Sequence, residues 1–136
     1  MAIDPKVREF LEEKRFAVLA TINPDGTVQQ SVMWYQLQGD TIMMNTARGR
    51  FKDRNLLHDL RISFCVEDDY RYVTIKGTAE LNEDPAQGQA DIKALATRYE
   101  GPERAEQMVK ESFGNQYRVS ILLPVTKVDA HGFDGE

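Results

Sequence analysis

The 136-residue chain has one cysteine, one tryptophan and two histidines, and each scarcity removes a class of explanation. A lone thiol, Cys65, cannot close an internal disulfide. It stands in the apolar run "ISFCV", where a small buried hydrophobe is expected, since an activated thiolate needs cationic neighbours. His58 and His131, with Cys65 and scattered carboxylates, lack the close spacing that zinc ligation requires, so no metal site is expected. No apolar stretch is long enough to cross a bilayer and the N-terminus carries no signal-type apolar run, so the expectation is a cytoplasmic protein without a membrane partner. Positive charge is in deficit too. Seventeen basic against 22 acidic residues leave a formal net charge of -5, which argues against a nucleic-acid partner, because long-range attraction to a polyanion needs a positive field. There is no internal repeat, low-complexity tract or linker. Residues 1–136 are expected to form one domain, large enough to bury a core without disulfide or metal.

What the chain does have is alternation of strand and turn signals. "DPKVREFLEEKR" begins with Asp4 as a helix N-cap and Pro5 at the first helical position, and Val7, Phe10 and Leu11 recur at helical spacing. "FAVLATIN" reads as a buried strand, "PDG" as a hairpin turn and "TVQQSVMWYQL" as the returning strand. Gly39-Asp40 makes the next turn before a third strand, "TIMMNT". "RISFCVED" and "YRYVTIKGTAEL" are the fourth and fifth strands, with Gly77 marking a bulge or a close backbone approach. Two helices follow. "DPAQGQADIKALATRYEG" repeats the Asp-Pro opening and carries Ile92, Leu95 and Ala96 on one face, and "PERAEQMVKESF" has Pro102 near its start. "YRVSILLPVTKVDAHGF" closes the chain with one or two strands divided at Pro124. Antiparallel strands in hairpin series with appended helices predict a small barrel of six or seven strands.

Against the acidic average, "TARGRFKDRNLL" gathers Arg48, Arg50, Lys52 and Arg54 in seven positions. Phe51, Leu56, Leu57 and Leu60 fit the inner side of a short helix, which leaves the cations about its N-terminus. The helix dipole opposes cations there unless an anion is shared between them. Backbone N–H groups, a flexible Gly49 and convergent Arg and Lys are what a phosphate monoester requires. The alternative is a solvated turn in which Arg50 and Arg54 pair with Asp53, Asp59 or surface glutamates.

The order of "AVLATINPDGTVQQSVMWY", "IMMNTARGRFKDRNLLHDLRISFCV" and "YVTIKGTAEL" resembles the pyridoxamine 5′-phosphate oxidase-like split-barrel superfamily, and within it the branch that uses the deazaflavin coenzyme F-420. The most telling piece is Arg50, Lys52, Arg54, Asn55 and Leu56 between two strands. The resemblance implies an FMN-binding-type split β-barrel and a homodimer with each cofactor in a groove between two barrels. It places the cofactor phosphate on Arg50 and Lys52, with Thr46, Ala47 and Arg54 completing the pocket. It runs the cofactor ring along Gln29, Ser31, Val32, Met33 and Trp34, where backbone groups bond the ring's polar edge. Met33, Trp34 and Tyr35 are the apolar residues expected to need cover in the dimer. The implied activity is an oxidoreductase using reduced F-420 to reduce an unsaturated small molecule. The alternatives are an FMN-dependent pyridoxamine phosphate oxidase-like or flavin reductase enzyme, and a cofactor-binding protein without turnover. The oligoglutamate tail of F-420 would gain from Arg48 and from Lys76 or Arg71. No catalytic side chain is implied, because the cofactor carries the hydride.

Overall fold

The computed structural model describes residues 3–133. Helix α1 (Pro5–Glu12) starts as its sequence dictates, with the Asp4 carboxylate accepting from the Lys6 N–H at 2.9 Å and Val7, Phe10 and Leu11 buried. Two antiparallel sheets follow. The first, in the order β2-β1-β5-β6-β9, contains β1 (Ala17–Ile22), β2 (Val28–Met33), β5 (Arg61–Asp68), β6 (Arg71–Thr78) and β9 (Val128–His131). The second, in the order β3-β4-β8-β7, contains β3 (Gln36–Gln38), β4 (Thr41–Ala47), β7 (Glu80–Asn82) and β8 (Arg118–Pro124). Helix α2 (Phe51–His58) links β4 to β5, and α3 (Pro85–Glu100) and α4 (Pro102–Glu111) lie between β7 and β8. This is the expected mainly β split barrel with appended helices.

The described residues form nine strands rather than six or seven, because three long segments divide at corners. The returning strand breaks at Trp34–Tyr35. There the Tyr35 N–H goes to the Tyr99 hydroxyl (3.1 Å) and the Tyr35 carbonyl accepts from Arg98 Nε (3.0 Å), so side chains of α3 take the place of a ladder neighbour. The Tyr35 ring is fully buried and its hydroxyl donates to the Leu11 carbonyl at 2.9 Å. The fifth strand breaks at Ala79, whose N–H turns to the Leu60 carbonyl, and the closing segment divides after Pro124. Each break passes the chain from one sheet to the other. Gly77 marks a close approach: a Cβ there would lie 3.0 Å from Leu123 Cδ1.

Leu19, Phe64, Val73 and Ile75 of the first sheet meet Ile42, Met44, Ile121 and Leu123 of the second, and Phe10 and Leu11 of α1 join them. Each such side chain, fully buried, contributes about 1.5–3 kcal/mol. Strand β4 is buried on both faces, since Met43 packs outward with Ile92 and Leu95 of α3. Gly88 sets how closely α3 docks. A Cβ there would lie 1.9 Å from the Arg118 carbonyl oxygen, and the Gly88 carbonyl accepts from Asn45 Nδ2 at 3.0 Å.

In an open helix Gly→Ala stabilises by about 1 kcal/mol, but at Gly88 it must push α3 away from β8. Gly88→Ala is expected to lower stability by about 1–3 kcal/mol in denaturant unfolding. A variant as stable as the parent would show that α3 is not seated on β8 as described.

Candidate functional site

The basic segment becomes the turn 48–50 and the start of α2. The inner face of α2 differs from expectation: Leu56 is buried, while Phe51 and Leu57 are 66% and 53% exposed and Leu60 is also exposed. Polar residues take their place. Asp53 is 1% exposed and its Oδ2 accepts the Gly49 N–H at 2.7 Å, and Asn55 Nδ2 donates to Thr21 Oγ1 (3.1 Å) and Asn23 Oδ1 (2.9 Å). A helix anchored by these hydrogen bonds does not need a wide apolar stripe, which is why the hydrophobic pattern misled.

The four cations divide into two kinds. Arg48 is ion-paired within the protein, with Nε 3.3 Å from the buried Asp53 carboxylate, Nη2 3.6 Å from Glu83 and its guanidinium over the Tyr117 ring, although neither nitrogen makes a hydrogen bond among the described residues. Arg54 lies over Phe51 on the outer side. Arg50 and Lys52, like Arg54, have no ion-pair partner among the described residues, but unlike Arg54 they face inward. The solvated-turn alternative does not hold either, because Asp53 pairs with Arg48 and Asp59 with Arg61 at 2.7 Å.

Arg50 and Lys52 open into a cleft of about 200 Å³, which they share with Val32, Met33, Trp34, Asn45, Thr46, Ile92, Leu95, Phe113 and Arg118. Three cations therefore line one hollow. Burial, then Arg50 and Arg118 beside it, hold the Lys52 ammonium below its ordinary value. Burial, then Arg50, bring Arg118 down to about 10. The Thr46 hydroxyl is buried without a hydrogen-bond partner, and Arg50 at the N-cap of α2 supplies no side-chain acceptor to the first-turn N–H groups. Unpaired cations, an orphan hydroxyl and uncapped N–H groups are all donors. The set fits the phosphate of a flavin-type cofactor, and Arg50, Lys52 and Thr46 are the residues that would hold it.

Of the sequence-derived site residues, Val32, Met33, Trp34, Thr46, Arg50 and Lys52 gather on this cleft. Gln29 and Arg54 line a neighbouring hollow of about 520 Å³ with Asn23, Phe51 and Asn55, while Ser31 and Ala47 line neither. The strand β2 is a sheet edge, so its outer backbone groups lack a ladder partner among the described residues. Of the proposed tail cations, Arg48 is ion-paired with Asp53, and Arg71 with Asp68 at 2.7 Å beside Phe10. Lys76 is exposed on the outer face of the first sheet, at the rim of a mostly apolar hollow of about 500 Å³. Cys65 is corrected: it is half-buried on that outer face, because in β5 it alternates with the inward Phe64 and Val66. Arg118 was missed, since in "QYRVSILLP" it looks like an ordinary strand-edge cation. The one available signal was an arginine opening an otherwise apolar strand.

This split barrel is of a type that binds flavin-type cofactors. A family model described as pyridoxamine 5′-phosphate oxidase matches residues 3–132, and the chain belongs to that family. It is similar to the conserved hypothetical protein Rv2991 from Mycobacterium tuberculosis, at 28% identity and a TM-score of 0.81 over 96% of this chain and 85% of that one. It is similar also to an F-420 reductase, at 27% identity and a TM-score of 0.75 over 93% and 98%. HutZ, a heme storage protein from Vibrio cholerae, shares the fold at 18% identity and a TM-score of 0.72 over 98% and 97%. None of the curated proteins matches the chain.

The depressed Lys52 pKa gives the site a pH signature. An anion favours the ammonium and raises the pKa, so affinity is full below the free-protein value, falls as pH rises through it, and binding in that range takes up a proton. A calorimetric series with inorganic phosphate is expected to show this decline. Removal of a hydrogen bond to a charged group costs about 1.5–3 kcal/mol, so Lys52→Ala should weaken phosphate binding by about tenfold or more. A flat alkaline profile together with unchanged affinity in Lys52→Ala would remove Lys52 from the site.

Proposed function

We propose that the chain is a cytoplasmic oxidoreductase that uses reduced F-420 to reduce an unsaturated small molecule. The observation that carries this reading is the cleft, in which unpaired Arg50 and Lys52, the orphan Thr46 hydroxyl and the β2 edge stand side by side. The likeness to an F-420 reductase over almost all of both chains supports the choice of coenzyme. F-420 would supply the hydride, so no triad or carboxylate pair is called for. The chain's part is to fix the phosphate at Arg50 and Lys52, to offer the free backbone edge of β2 to the ring, and to wall the cleft with Val32, Met33 and Trp34 against water. The phosphate donors fit FMN equally, which keeps an FMN-dependent enzyme as the second reading and a binder without turnover as the third.

Calorimetric titration of the purified protein with F-420 and with FMN separates the first two, and F-420 is expected to bind tighter. Equal or stronger binding of FMN would promote the second reading. Reduced-coenzyme turnover then separates enzyme from binder.

The working unit proposed is a homodimer. Of the residues expected to need cover, Met33 is 7% exposed and Tyr35 fully buried, while Trp34 is half-buried. Among the exposed apolar residues, Val18, Val28 and Val32, 37%, 61% and 71% exposed, lie together on the outer face of β1 and β2. They adjoin the apolar hollow that Ala20, Ile22 and Val28 share with Gly77, a face that calls for a partner. Light scattering at micromolar concentration is expected to give twice the 15.5 kDa of one chain. A mass near that of one chain for the parent would contradict it.

A further inference from the structure

Arg118 is 4% exposed, and a guanidinium that deep ordinarily pairs with a carboxylate. Here its direct partners are neutral. Nε donates to Asn45 Oδ1 at 2.9 Å, Nη1 donates to Gln116 Oε1 at 2.7 Å, and the Phe113 ring lies 5.0 Å below. The carboxylate of the network, Asp91 on α3, is reached only through a relay: Asn45 Nδ2 donates to Ser120 Oγ (3.3 Å), and Ser120 Oγ donates to Asp91 Oδ2 (2.6 Å). Asn45, Ser120 and Asp91 are all buried.

Every donor in this chain points the same way, from guanidinium to carboxylate, so each bond polarises the next and the side chain is held in one orientation. The charge is not cancelled on the spot, as it would be with a carboxylate where Asn45 stands. Nη2 is left without a protein partner among the described residues, and Arg118 lines the cleft beside Arg50 and Lys52. A cation fixed by neutral groups and facing two unpaired cations is unfavourable in the empty protein and favourable once an anion arrives.

We propose that Arg118 is a third ligand of the anion site, reaching the phosphate group from the sheet side while Arg50 and Lys52 reach it from α2, and that the Asn45–Ser120–Asp91 relay holds it ready with its charge intact. The inference rests on the reading of this cleft as a phosphate site. It adds α3 to the machinery of binding, since the relay ends there.

The test is calorimetric titration of the full chain with inorganic phosphate, with F-420 and FMN titrated in parallel. Arg118→Met keeps an unbranched side chain against Phe113 and is expected to lower phosphate affinity by about tenfold or more, with circular dichroism unchanged. Arg118→Lys, which keeps the charge, is expected to recover part of that loss. Phosphate affinity equal to the parent's in folded Arg118→Met would overturn the proposal, even with coenzyme binding intact. A parent that binds phosphate through Arg118 but neither coenzyme would sink the proposed function and leave this inference standing. Should Arg118→Met not fold, the guanidinium N–H resonances of the parent give the answer directly: they shift on phosphate addition, and resonances that stay fixed at saturating phosphate would overturn the assignment.

Discussion

Like charges in a half-buried cleft repel, and proteins ordinarily answer with a carboxylate. This chain has 22 acidic residues, yet ion pairs absorb Arg48, Arg61 and Arg71 and bypass Arg50, Lys52 and Arg118. Much of the local structure follows from keeping those three close together and unneutralised. Asp53 is turned inward, to the Gly49 N–H and Arg48, where it fixes the turn without meeting Arg50 or Lys52. Asp91 is kept two side chains away from Arg118. Burial first, and then the neighbouring cations, depress the titration of Lys52 and Arg118, and that is the cost of the placement. An anion recovers it on binding, which is why the arrangement reads as a site and not as a surface feature.

The helix α3 joins the fold to this constraint. Tyr99 receives the Tyr35 N–H and donates to the Arg15 carbonyl, and Arg98 holds the Tyr35 carbonyl, so the corner between β2 and β3 is made by side chains of α3. The same helix closes the cleft with Ile92 and Leu95 and touches β8 through Gly88. The corner places Trp34 on the cleft, where it stacks on Tyr99 at 5.3 Å. A shift of α3 would therefore move the cleft wall and the end of the proposed ring strand together.

What the sequence made legible had local causes. The Asp-Pro openings of α1 and α3 and the turn signals each act through near neighbours in the chain, and each formed where expected. The misses have distant causes. Breaks at Tyr35 and Ala79 depend on partners in α3 and at Leu60, contacts that period-two alternation does not encode. The inner face of α2 failed because Asp53 and Asn55 satisfy themselves on Gly49, Thr21 and Asn23, so polar residues occupy positions that the pattern assigned to Phe51 and Leu57. Cys65 failed on register: an apolar run has no intrinsic inside, and only pairing of Cys65 with Val18 and Thr74 decides which face it joins.

Arg118 shows why half of a binding site can be invisible in one sequence. Arg50 and Lys52 announce themselves because a short loop must bring its ligands from consecutive positions, whereas a ligand on a sheet needs only one residue per strand. Asn45 and Arg118 lie 73 positions apart and meet because β4 and β8 pair in register, Thr46 opposite Val119 and Ala47 opposite Arg118. Ser120, opposite Asn45 in the same ladder, completes the relay by the alternation of the strand. Each of the three looks unremarkable alone. Their chemistry arises from pairing, and pairing is the property that the barrel supplies.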